Sequence, residues 1–553
     1  MSQANPSSTN PTSSTTPATP PVPAAPATGE GLTKLIAQRR ANRDTARSLG
    51  FNPYGTRVDG LISLADARAR YDEAADKEHQ AQGKTPTPGF VDRRPSVTVS
   101  GRVMLSRDNG KLMWLNLRDH TGDLQAALSQ KDLNEKAFSA AKTLDLGDVV
   151  VVTGRLMKTR TGEITVWAED FQPGAKSIVP PPEKWSGLQD TELRYRQRYV
   201  DLWANPETMK VFQLRSKIVT RVREFLNGRA YLEVETPMMQ ALAGGAAARP
   251  FVTKMNALDI NLFLRIAPEL YLKRLLVGGL PRVYEINRNF RNEGLDKQHN
   301  PEFTMLEAYH AFGDVETVME LTESIIRDAA SLVASETGAP LNALPFGELN
   351  IDYAAPFVRV TYGELFRKAM GFDMTDGDRA RAKLLEGLTR SEAPANVIEQ
   401  ARMQIAQMDH WLVVNELFEE YAEGLVDPAR PTFITDYPAA ISPLTRPKPS
   451  DPTLADRADL FIAGMEIAPH YTELNDPDVQ EAKFREQLRG MDAEKTAEEN
   501  TFRTMDHDFL RALAVGMPPA GGMGLGIDRL VMLLTNQRTI RDVVLFPLMR
   551  PEA

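Results

Sequence analysis

The chain has 553 residues, of which 42% are hydrophobic and 25% are charged, an ordinary composition for a globular protein. It contains no cysteine, which excludes disulfides, thiolate metal sites and a cysteine nucleophile, and its seven scattered histidines argue against a histidine-built zinc site. The formal net charge of −9 removes any global attraction to nucleic acid, although a local basic surface can still bind it. The length predicts roughly three or four domains.

Membrane and export signals are absent from the sequence pattern. No apolar run approaches the ~18 residues that a membrane span requires. The N-terminus has neither the basic start nor the apolar core of a secretory signal, so we expect a cytoplasmic protein without a membrane partner.

The N-terminal region divides into two parts by composition. Residues 1–30 are almost only Ser, Thr, Pro, Ala, Asn and Gly and are predicted to be a disordered tail. Residues 31–92 are predicted to form a helical extension, which starts with a basic helix. Its cations either contact a nucleic-acid backbone or form a solvated helix face. They are Lys34, Arg39, Arg40, Arg43 and Arg47.

Residues 93–178 show the alternation typical of strands. Three strand-like stretches are followed by a helical stretch near 131–143 and then by two more strands, with a hairpin signal at Asp108-Asn109-Gly110. This order is that of an OB-type Greek-key barrel, a fold that commonly binds oligonucleotides. The stretches are 96–105, 112–119, 123–129, 148–159 and 163–171.

A proline cluster opens the next segment, residues 179–210, which we interpret as a hinge. Its run of Arg194, Arg196 and Arg198 with two tyrosines either tracks a phosphate backbone or joins the domains. The remainder, 211–553, is predicted to be one large mixed α/β region.

Two segments of that region suit a nucleotide. Residues 283–309 are predicted to form two antiparallel strands joined by a polar loop with arginines and an aromatic, which can hold phosphate and stack on a base. The alternative is surface salt bridges around a core phenylalanine. Residues 521–535 place glycines at a strand-to-helix junction that permits close backbone approach and favours anions, but they match neither a Walker loop nor a dinucleotide fingerprint.

A third segment, 456–476, carries carboxylates at steps of seven residues: Asp459, Glu466 and Glu473. Carboxylates are hard ligands that suit Mg²⁺ held jointly with phosphates, whereas the alternative is a polar helix stripe. Because Gly464 and Pro469 interrupt such a helix, we favour strand and loop.

Over residues 31–550 these segments together resemble class II aminoacyl-tRNA synthetases, and specifically the bacterial-type lysyl-tRNA synthetases. Class motif 1 is matched by FLNGRAYLEVETPMM, motif 2 by FRNE and HNPEFTMLE, and motif 3 by GLGIDR. The strings LRIAPELYLKRLLVGG and RYRQRYVDL are similar to those of the lysine-specific members.

The resemblance implies an α+β fold, with an N-terminal OB-fold β-barrel followed by a class II catalytic domain in which helices flank an antiparallel β-sheet. It implies a lysine–tRNA ligase that makes lysyl-adenylate from lysine and ATP and then transfers the lysyl group to the 3′ end of its tRNA. Up to three Mg²⁺ ions per site and a homodimer through the region around Pro237 are implied as well.

The resemblance also implies roles for individual residues. Arg291 would hold the α-phosphate and Arg529 the γ-phosphate, while Asp459 and Glu466 would bind Mg²⁺. The ATP site would further include Glu293, His299, Asn300, Phe303 and Gly526. The lysine site would comprise Gly245, Glu269, Glu307, Tyr309, Glu473 and Gly524. The anticodon would be bound by Trp114, Gln125 and Glu163.

The sequence departs from the family pattern at two places. Asp459 is shorter by one methylene than the usual glutamate, and Pro469 stands where an asparagine usually contacts the amino acid, beside an unusual His470. Two alternative functions are a relative that lysylates something other than tRNA and a catalytically silent regulator that binds nucleic acid. The OB-type pattern argues against the first, and the presence of Arg291, Arg529 and Glu466 argues against the second.

Overall fold

The computed structural model describes residues 30–83, 87–181, 188–246, 248–389, 395–489 and 505–552. The predicted tail 1–30 lies outside these residues except for Glu30, which is the first residue of a helix. The chain divides into two compact units: one extends to Thr191 and includes Tyr199–Pro206, and the other combines Glu192–Arg198 with the chain from Glu207 onwards.

The first unit is a closed barrel. Its strands are β1 (Leu61–Ile62), β2 (Ser96–Asp108), β3 (Leu112–Asp119), β4 (Gly122–Ser129), β5 (Val149–Lys158) and β6 (Ile164–Ala175). They follow the order β1-β2-β3-β4-β6-β5, and pairing of β2 with β5 closes the sheet. Helix α4 (Glu135–Ala141) separates β4 from β5, so the predicted order of three strands, a helix and two strands is confirmed.

Burial along the barrel strands alternates as the sequence pattern requires. In β3, Met113, Leu115 and Leu117 are buried in the barrel core, whereas Trp114 and the residues that alternate with them lie on the outer surface. The hairpin between β2 and β3 uses Gly110 at a φ of 79°, a conformation that favours glycine. The remaining helices of this part of the chain are α1 (Glu30–Ser48), α2 (Leu64–Ala69) and α3 (Glu73–Ala81).

The second unit is built on an eight-stranded sheet that is antiparallel except at its two edges. The strands of this unit are β7 (Leu232–Glu233), β8 (Met239–Gln240), β9 (Val252–Met255), β10 (Ile260–Leu264), β11 (Arg282–Phe290), β12 (Glu302–Ala311), β13 (Leu344–Phe346), β14 (Leu349–Ile351), β15 (Val358–Thr361), β16 (Thr432–Thr435), β17 (Arg457–Ile462), β18 (Met465–Thr472) and β19 (Ala520–Gly526). The large sheet has the order β15-β16-β17-β18-β19-β12-β11-β7. Strands β8, β10 and β9 form a small separate sheet, and β13 pairs with β14.

Helices of the second unit supply the core of its sheet. The helices after residue 190 are α5 (Thr191–Arg196), α6 (Arg198–Ala204), α7 (Pro206–Asn227), α8 (Glu269–Val277), α9 (Val315–Thr337), α10 (Tyr362–Met370), α11 (Gly377–Thr389), α12 (Ala395–Gln407), α13 (His410–Leu417), α14 (Pro477–Arg489), α15 (His507–Gly516), α16 (Ile527–Leu534) and α17 (Ile540–Val543). Apart from Arg198, helix α6 belongs to the first unit. Ile218 of α7, Ile325 of α9 and Val531 of α16 are buried together against strand residues such as Leu525. This packing fixes the strands that carry the polar side chains described below.

The basic helix α1 uses part of its charge for packing. Arg39 is buried and donates to the carbonyls of Ser177 (2.8 Å) and Leu146 (3.0 Å), so the interpretation as a nucleic-acid contact is wrong for this residue. Arg43 and Arg47 both pair with Asp44. Lys34 and Arg40 are exposed, and for them both interpretations stay open.

The arginine run of the predicted hinge is also largely internal to one unit. Arg198 is fully buried and donates to the carbonyls of Leu545 (3.1 Å) and Arg541 (2.9 Å), while the Tyr195 hydroxyl donates to Asp542 (3.0 Å). A phosphate-tracking role is therefore wrong for Arg198. These contacts anchor residues 192–198 to the C-terminal segment within the second unit.

Candidate active site

The long antiparallel pair β11–β12 positions the first arginine. Its register runs without interruption from Arg282 opposite His310 to Phe290 opposite Glu302, so Arg291 leaves the sheet exactly where the polar loop begins. The Arg291 guanidinium lies 5.1 Å from the centre of the Phe303 ring. Among the described residues nothing accepts a hydrogen bond from its buried Nε, which leaves a donor for an anion.

The second arginine lies in the first turn of α16, directly after the glycine strand β19. Arg529 donates from Nη1 to the Glu466 carbonyl (2.5 Å) and from Nη2 to His299 Nε2 (3.0 Å). Because Nε2 accepts, the imidazole proton is placed on Nδ1, which donates to Asp296 (2.7 Å). Burial and the like charge of Arg291 lower the pKa of Arg529, and Glu466 opposes them. Two guanidinium groups that repel each other form a site for an anion such as a polyphosphate.

The other predicted nucleotide residues lie along the same loop and strand ends. Asn300 is buried and donates from Nδ2 to the Glu302 carbonyl (2.6 Å). Glu293 is exposed, and Gly526 ends β19 opposite Met305. Direct contacts therefore connect Arg291 to Phe303 and His299 to Arg529, while the roles of Glu293, Asn300 and Gly526 stay predictions.

The two candidate metal ligands lie on neighbouring strands. Asp459 of β17 is buried and is held by both ends of the Arg457 guanidinium, with Nε–Oδ1 and Nη2–Oδ2 distances of 3.1 and 2.5 Å. Burial and the Asp459 carboxylate raise the pKa of Glu466 on β18. Within the described ranges no cluster of three or more carboxylate or histidine side chains is arranged to hold a metal. Two hard oxygen donors suit a Mg²⁺ ion that completes its shell with substrate phosphates and water.

The predicted lysine residues converge on one buried pouch. Glu269 begins α8, Glu473 follows β18, and Glu307 and Tyr309 lie on β12. The Tyr309 hydroxyl donates to Glu307 Oε2 at 3.4 Å. Burial and the Glu269 carboxylate raise the pKa of Glu307 to about 8, against the opposing effect of Arg291. The electrostatic coupling of Glu307 with both Glu269 and Arg291 places the pouch next to the arginine site.

Glycines open the space in which these carboxylates lie. Gly245 has a φ of 86°, and a Cβ there would lie 3.5 Å from Glu269 Oε2. On β19, Gly524 is opposite Glu307 and Gly522 is opposite Tyr309. A Cβ on Gly522 would overlap the Glu473 carboxylate and the Tyr309 ring. The absence of these side chains is therefore a condition for the pouch to exist.

Comparison with known proteins shows the family to which the chain belongs. Residues 190–550 match the family described as tRNA synthetases class II (D, K and N), and residues 97–173 match the OB-fold nucleic acid binding domain. The chain belongs to the class II tRNA synthetases.

Relatives of this synthetase are similar over nearly their whole length. A lysine–tRNA ligase of Pelotomaculum thermopropionicum is 45% identical over 525 residues, which cover 94% of this chain and 96% of the relative. Proteins of the same name from Carboxydothermus hydrogenoformans and Syntrophomonas wolfei are each 43% identical, over 94% and 92% of this chain and 99% and 95% of their own.

One residue of the synthetase's pouch was not predicted from the sequence. Lys273 is fully buried on α8, with its Nζ 2.7 Å from Glu269 Oε1 and 2.5 Å from Glu473 Oε2. Burial alone lowers the pKa of Lys273, but the two carboxylates outweigh burial and raise it. The available signal was a single lysine in the apolar run LYLKRLLV, one helical turn after Glu269.

The unusual pair Pro469 and His470 has a structural explanation in part. His470 is buried, and its ring nitrogens lie within hydrogen-bonding distance of the Ala458 carbonyl (3.1 Å) and the Thr322 hydroxyl (2.8 Å). It therefore links β18 to β17 and α9. Pro469 lies opposite Asp459 on β17, so it is next to the candidate metal ligands as well as near Gly524.

The barrel unit carries the three predicted anticodon residues on its outer surface. Trp114 is half-buried and makes an edge contact with Trp167, with ring centres 6.3 Å apart. Gln125 accepts from the Thr165 hydroxyl (2.9 Å), and the exposed Glu163 pairs with Arg68 (3.2 Å). Half-buried aromatic rings can stack on unpaired bases, and neighbouring amide and carboxylate groups can hydrogen-bond to the base edges. The roles of these three residues stay predictions.

Proposed function

We infer that this synthetase is a lysine–tRNA ligase, which activates L-lysine with ATP and transfers the lysyl group to tRNA. The observation that carries the assignment of the substrate is the pouch formed by the buried Glu307 and Glu473 and the half-buried Glu269, with Arg291 close enough to act on Glu307. A buried carboxylate is costly unless it is paired, so the pouch favours an amino acid that brings cations to it.

Activation requires the lysine carboxylate to attack the α-phosphorus of ATP in line with the departing pyrophosphate. Negative charge is spread over the phosphoryl oxygens during this step and must be met by fixed cations. We assign the α-phosphate to Arg291, whose buried Nε has no hydrogen-bond partner among the described residues, and the γ-phosphate to Arg529. No side chain needs to form a covalent bond, because the rate comes from positioning and electrostatics.

The other proposed ATP-site residues either surround the nucleotide or position Arg529. The Phe303 ring would stack on adenine, with Glu293, Asn300 and Gly526 around the nucleotide. The hydrogen-bonded series Asp296, His299 and Arg529 fixes the guanidinium before ATP arrives, which reduces the entropy lost on binding.

Asp459 and Glu466 are proposed to hold Mg²⁺. Their carboxylate oxygens fit the ion. Burial and the nearby Asp459 carboxylate raise the pKa of Glu466, and a cation bound to both groups would oppose this shift. When bound, Mg²⁺ neutralises charge on the triphosphate. Arg457 orients the Asp459 carboxylate through its two hydrogen bonds.

Two partners follow from surfaces of the two units. We propose that Trp114, Gln125 and Glu163 bind the anticodon of the tRNA.

We further propose a homodimer through the motif 1 region, where Pro237 is flanked by exposed apolar side chains. These include Leu232, Met238 and Met239, which are 52%, 43% and 58% exposed. Large exposed apolar patches of this kind mark interfaces.

The described residues contain no helix both long enough and apolar enough to cross a bilayer. Because ATP and tRNA are the proposed substrates, we propose that the synthetase acts in the cytoplasm.

ATP–pyrophosphate exchange with each of the twenty amino acids tests the assignment. We expect exchange with L-lysine and little with the other nineteen. Exchange that depends on a different amino acid, or none with any of them, would contradict it.

Replacing Glu269 by Gln tests the pouch itself. The variant keeps the shape but removes one charge that faces the substrate ammonium, so lysine activation should fall by roughly 100-fold while ATP binding is spared. The readouts are lysine-dependent exchange and ATP titration. Glu316→Gln, at an exposed position paired with Arg359, is the control and should change neither. An equal loss of lysine and ATP binding would count against the assignment.

A further inference from the structure

The pouch contains a cation of its own. Lys273 is completely buried, and its ammonium group lies between two carboxylates that come from different parts of the chain, Glu269 on the same helix and Glu473 after β18. The family assignment gives this lysine no task, and the mechanism above does not use it.

Lys273 contacts only one of the two oxygens of each carboxylate. Lys273 takes Oε1 of Glu269 and Oε2 of Glu473. The other oxygen of Glu269, Oε2, faces Gly245, and the other oxygen of Glu473, Oε1, faces Gly522 beside the Tyr309 ring. The internal ammonium therefore contacts one oxygen of each carboxylate, and the other oxygen of each lies next to a glycine and does not contact Lys273.

The charges of the three groups do not cancel. Two carboxylates and one ammonium leave a single negative charge in a buried place, which is unfavourable without a further cation. Burial, with Glu269 adding to it, raises the pKa of Glu473 to about 7 even though Lys273 opposes this. With both carboxylates ionised, the group of three is one cation short of neutrality before substrate binds.

We propose that Lys273 is a positioning and specificity-determining residue: it holds Glu269 and Glu473 so that each presents one oxygen to the substrate, and it leaves a deficit of one positive charge that one side-chain ammonium fills. The inference rests on the proposed lysine–tRNA ligase function. Lys273 makes no bond to substrate in this scheme. Its charge opposes protonation of the two glutamates, which would otherwise take the place of a substrate cation.

Lys273→Met tests the proposal, because methionine is of similar length, unbranched and uncharged. Without the ammonium, one glutamate takes up a proton and both lose their fixed orientation. We expect the KM for lysine to rise by about tenfold or more, the KM for ATP to stay within about twofold, and kcat to fall less than the lysine KM rises. Arg274→Met is the matched control, since this neighbour on α8 pairs with Asp506 outside the pouch, and its lysine KM should not change.

A second variant keeps the test decisive if methionine disturbs the packing. Lys273→Ala leaves a space that n-propylammonium can enter, and n-propanol has similar size without charge. We expect the amine, and not the alcohol, to restore lysine-dependent exchange in Lys273→Ala, while the same amine competes with lysine in the unmodified protein.

Three results would overturn the proposal: an unchanged lysine KM in Lys273→Met, an equal rise in the KM values of lysine and ATP, or equal rescue by amine and alcohol. The unmodified protein separates this inference from the function on which it rests. If it supports lysine-dependent exchange and Lys273→Met behaves the same, only the role of Lys273 is wrong. If it supports no such exchange, the ligase assignment itself fails.

Discussion

Glu307 is a buried carboxylic acid, and its proposed place in the lysine site predicts that substrate binding ionises it. Burial and Glu269 raise its pKa to about 8, so in the free site it is mostly protonated at neutral pH. We expect the lysine α-ammonium to lie at this end of the pouch, where it stabilises the carboxylate and lowers that pKa. Binding of lysine should then release a proton, and affinity should increase as pH rises from 6 towards 8, by at most about tenfold per unit.

Calorimetry at pH 7 in buffers with different ionisation enthalpies measures this proton release. Glu307→Gln should reduce the release by about one proton per site, and any release from Glu473 should remain. Binding without a buffer-dependent enthalpy would show that Glu307 does not change its protonation.

His470 makes a prediction about stability. Burial lowers its pKa to about 4, because the folded protein has no solvent to stabilise the imidazolium. The unfolded chain binds the proton near pH 6.5, so the contribution is fully present above that pH and is lost as pH falls towards 4. Between pH 7 and pH 5 this residue should cost about 2 kcal/mol of unfolding free energy.

Thermal unfolding of the unmodified protein and His470→Gln at the two pH values checks this. Glutamine can keep hydrogen bonds to Ala458 and Thr322 but does not titrate, so the variant should lose less stability at pH 5. Identical pH dependence of the two proteins would show that His470 is not responsible.

The role of a residue could be predicted where its side-chain type allows few roles. It could not be predicted where the role depends on a partner that is distant in sequence. Carboxylates and arginines at motif positions were found, and the structure brings Glu269, Glu307 and Glu473 together. Lys273 was not found, because its second partner is 200 residues away. The basic runs containing Arg39 and Arg198 were interpreted as possible phosphate contacts because charge in a sequence does not reveal burial.

At the level of elements, the glycines of strand β19 leave room for side chains of the site that come from other strands. Gly522 faces Glu473 and Tyr309, and any Cβ there would overlap both. We expect Gly522→Ala to displace these side chains and to raise the lysine KM by about tenfold or more, with a smaller effect on ATP. Steady-state exchange kinetics measure both. Gly424→Ala, at a position with open space around it, is the control and should behave as the unmodified protein.

Local sequence patterns predicted most helices and strands, because the spacing of apolar residues along an element follows its buried face. The barrel strands, the β11–β12 pair and the β19–α16 junction are confirmed. For residues 456–476 we predicted strand and loop, and the structure has two strands, β17 and β18, joined by a short turn at Gly464. The hinge was less accurate. Helix α7 begins at Pro206, inside the predicted hinge 179–210, since proline is well tolerated in the first turn of a helix.

On the scale of the whole molecule, local patterns do not reveal which strands pair. Strand β19 lies between β18 and β12, although more than 200 residues separate β12 from β19 in sequence. This pairing brings Gly524 opposite Glu307 and makes one site from three distant segments. The family resemblance implied that these segments lie together in one site, whereas periodicity alone predicted only the individual strands.

Because the chain forms two units, the two halves of the reaction should respond to different mutations. Removing the Trp114 ring should weaken tRNA binding by roughly 10-fold, since stacking contributes ~1–3 kcal/mol per base. Trp114→Ala should therefore raise the KM for tRNA and leave ATP–pyrophosphate exchange unchanged, because exchange requires only the second unit's site. Trp114→Phe retains an aromatic face and should recover most of the tRNA affinity. If Trp114→Ala impaired exchange as strongly as aminoacylation, the barrel surface would be serving the stability of the protein rather than the recognition of tRNA.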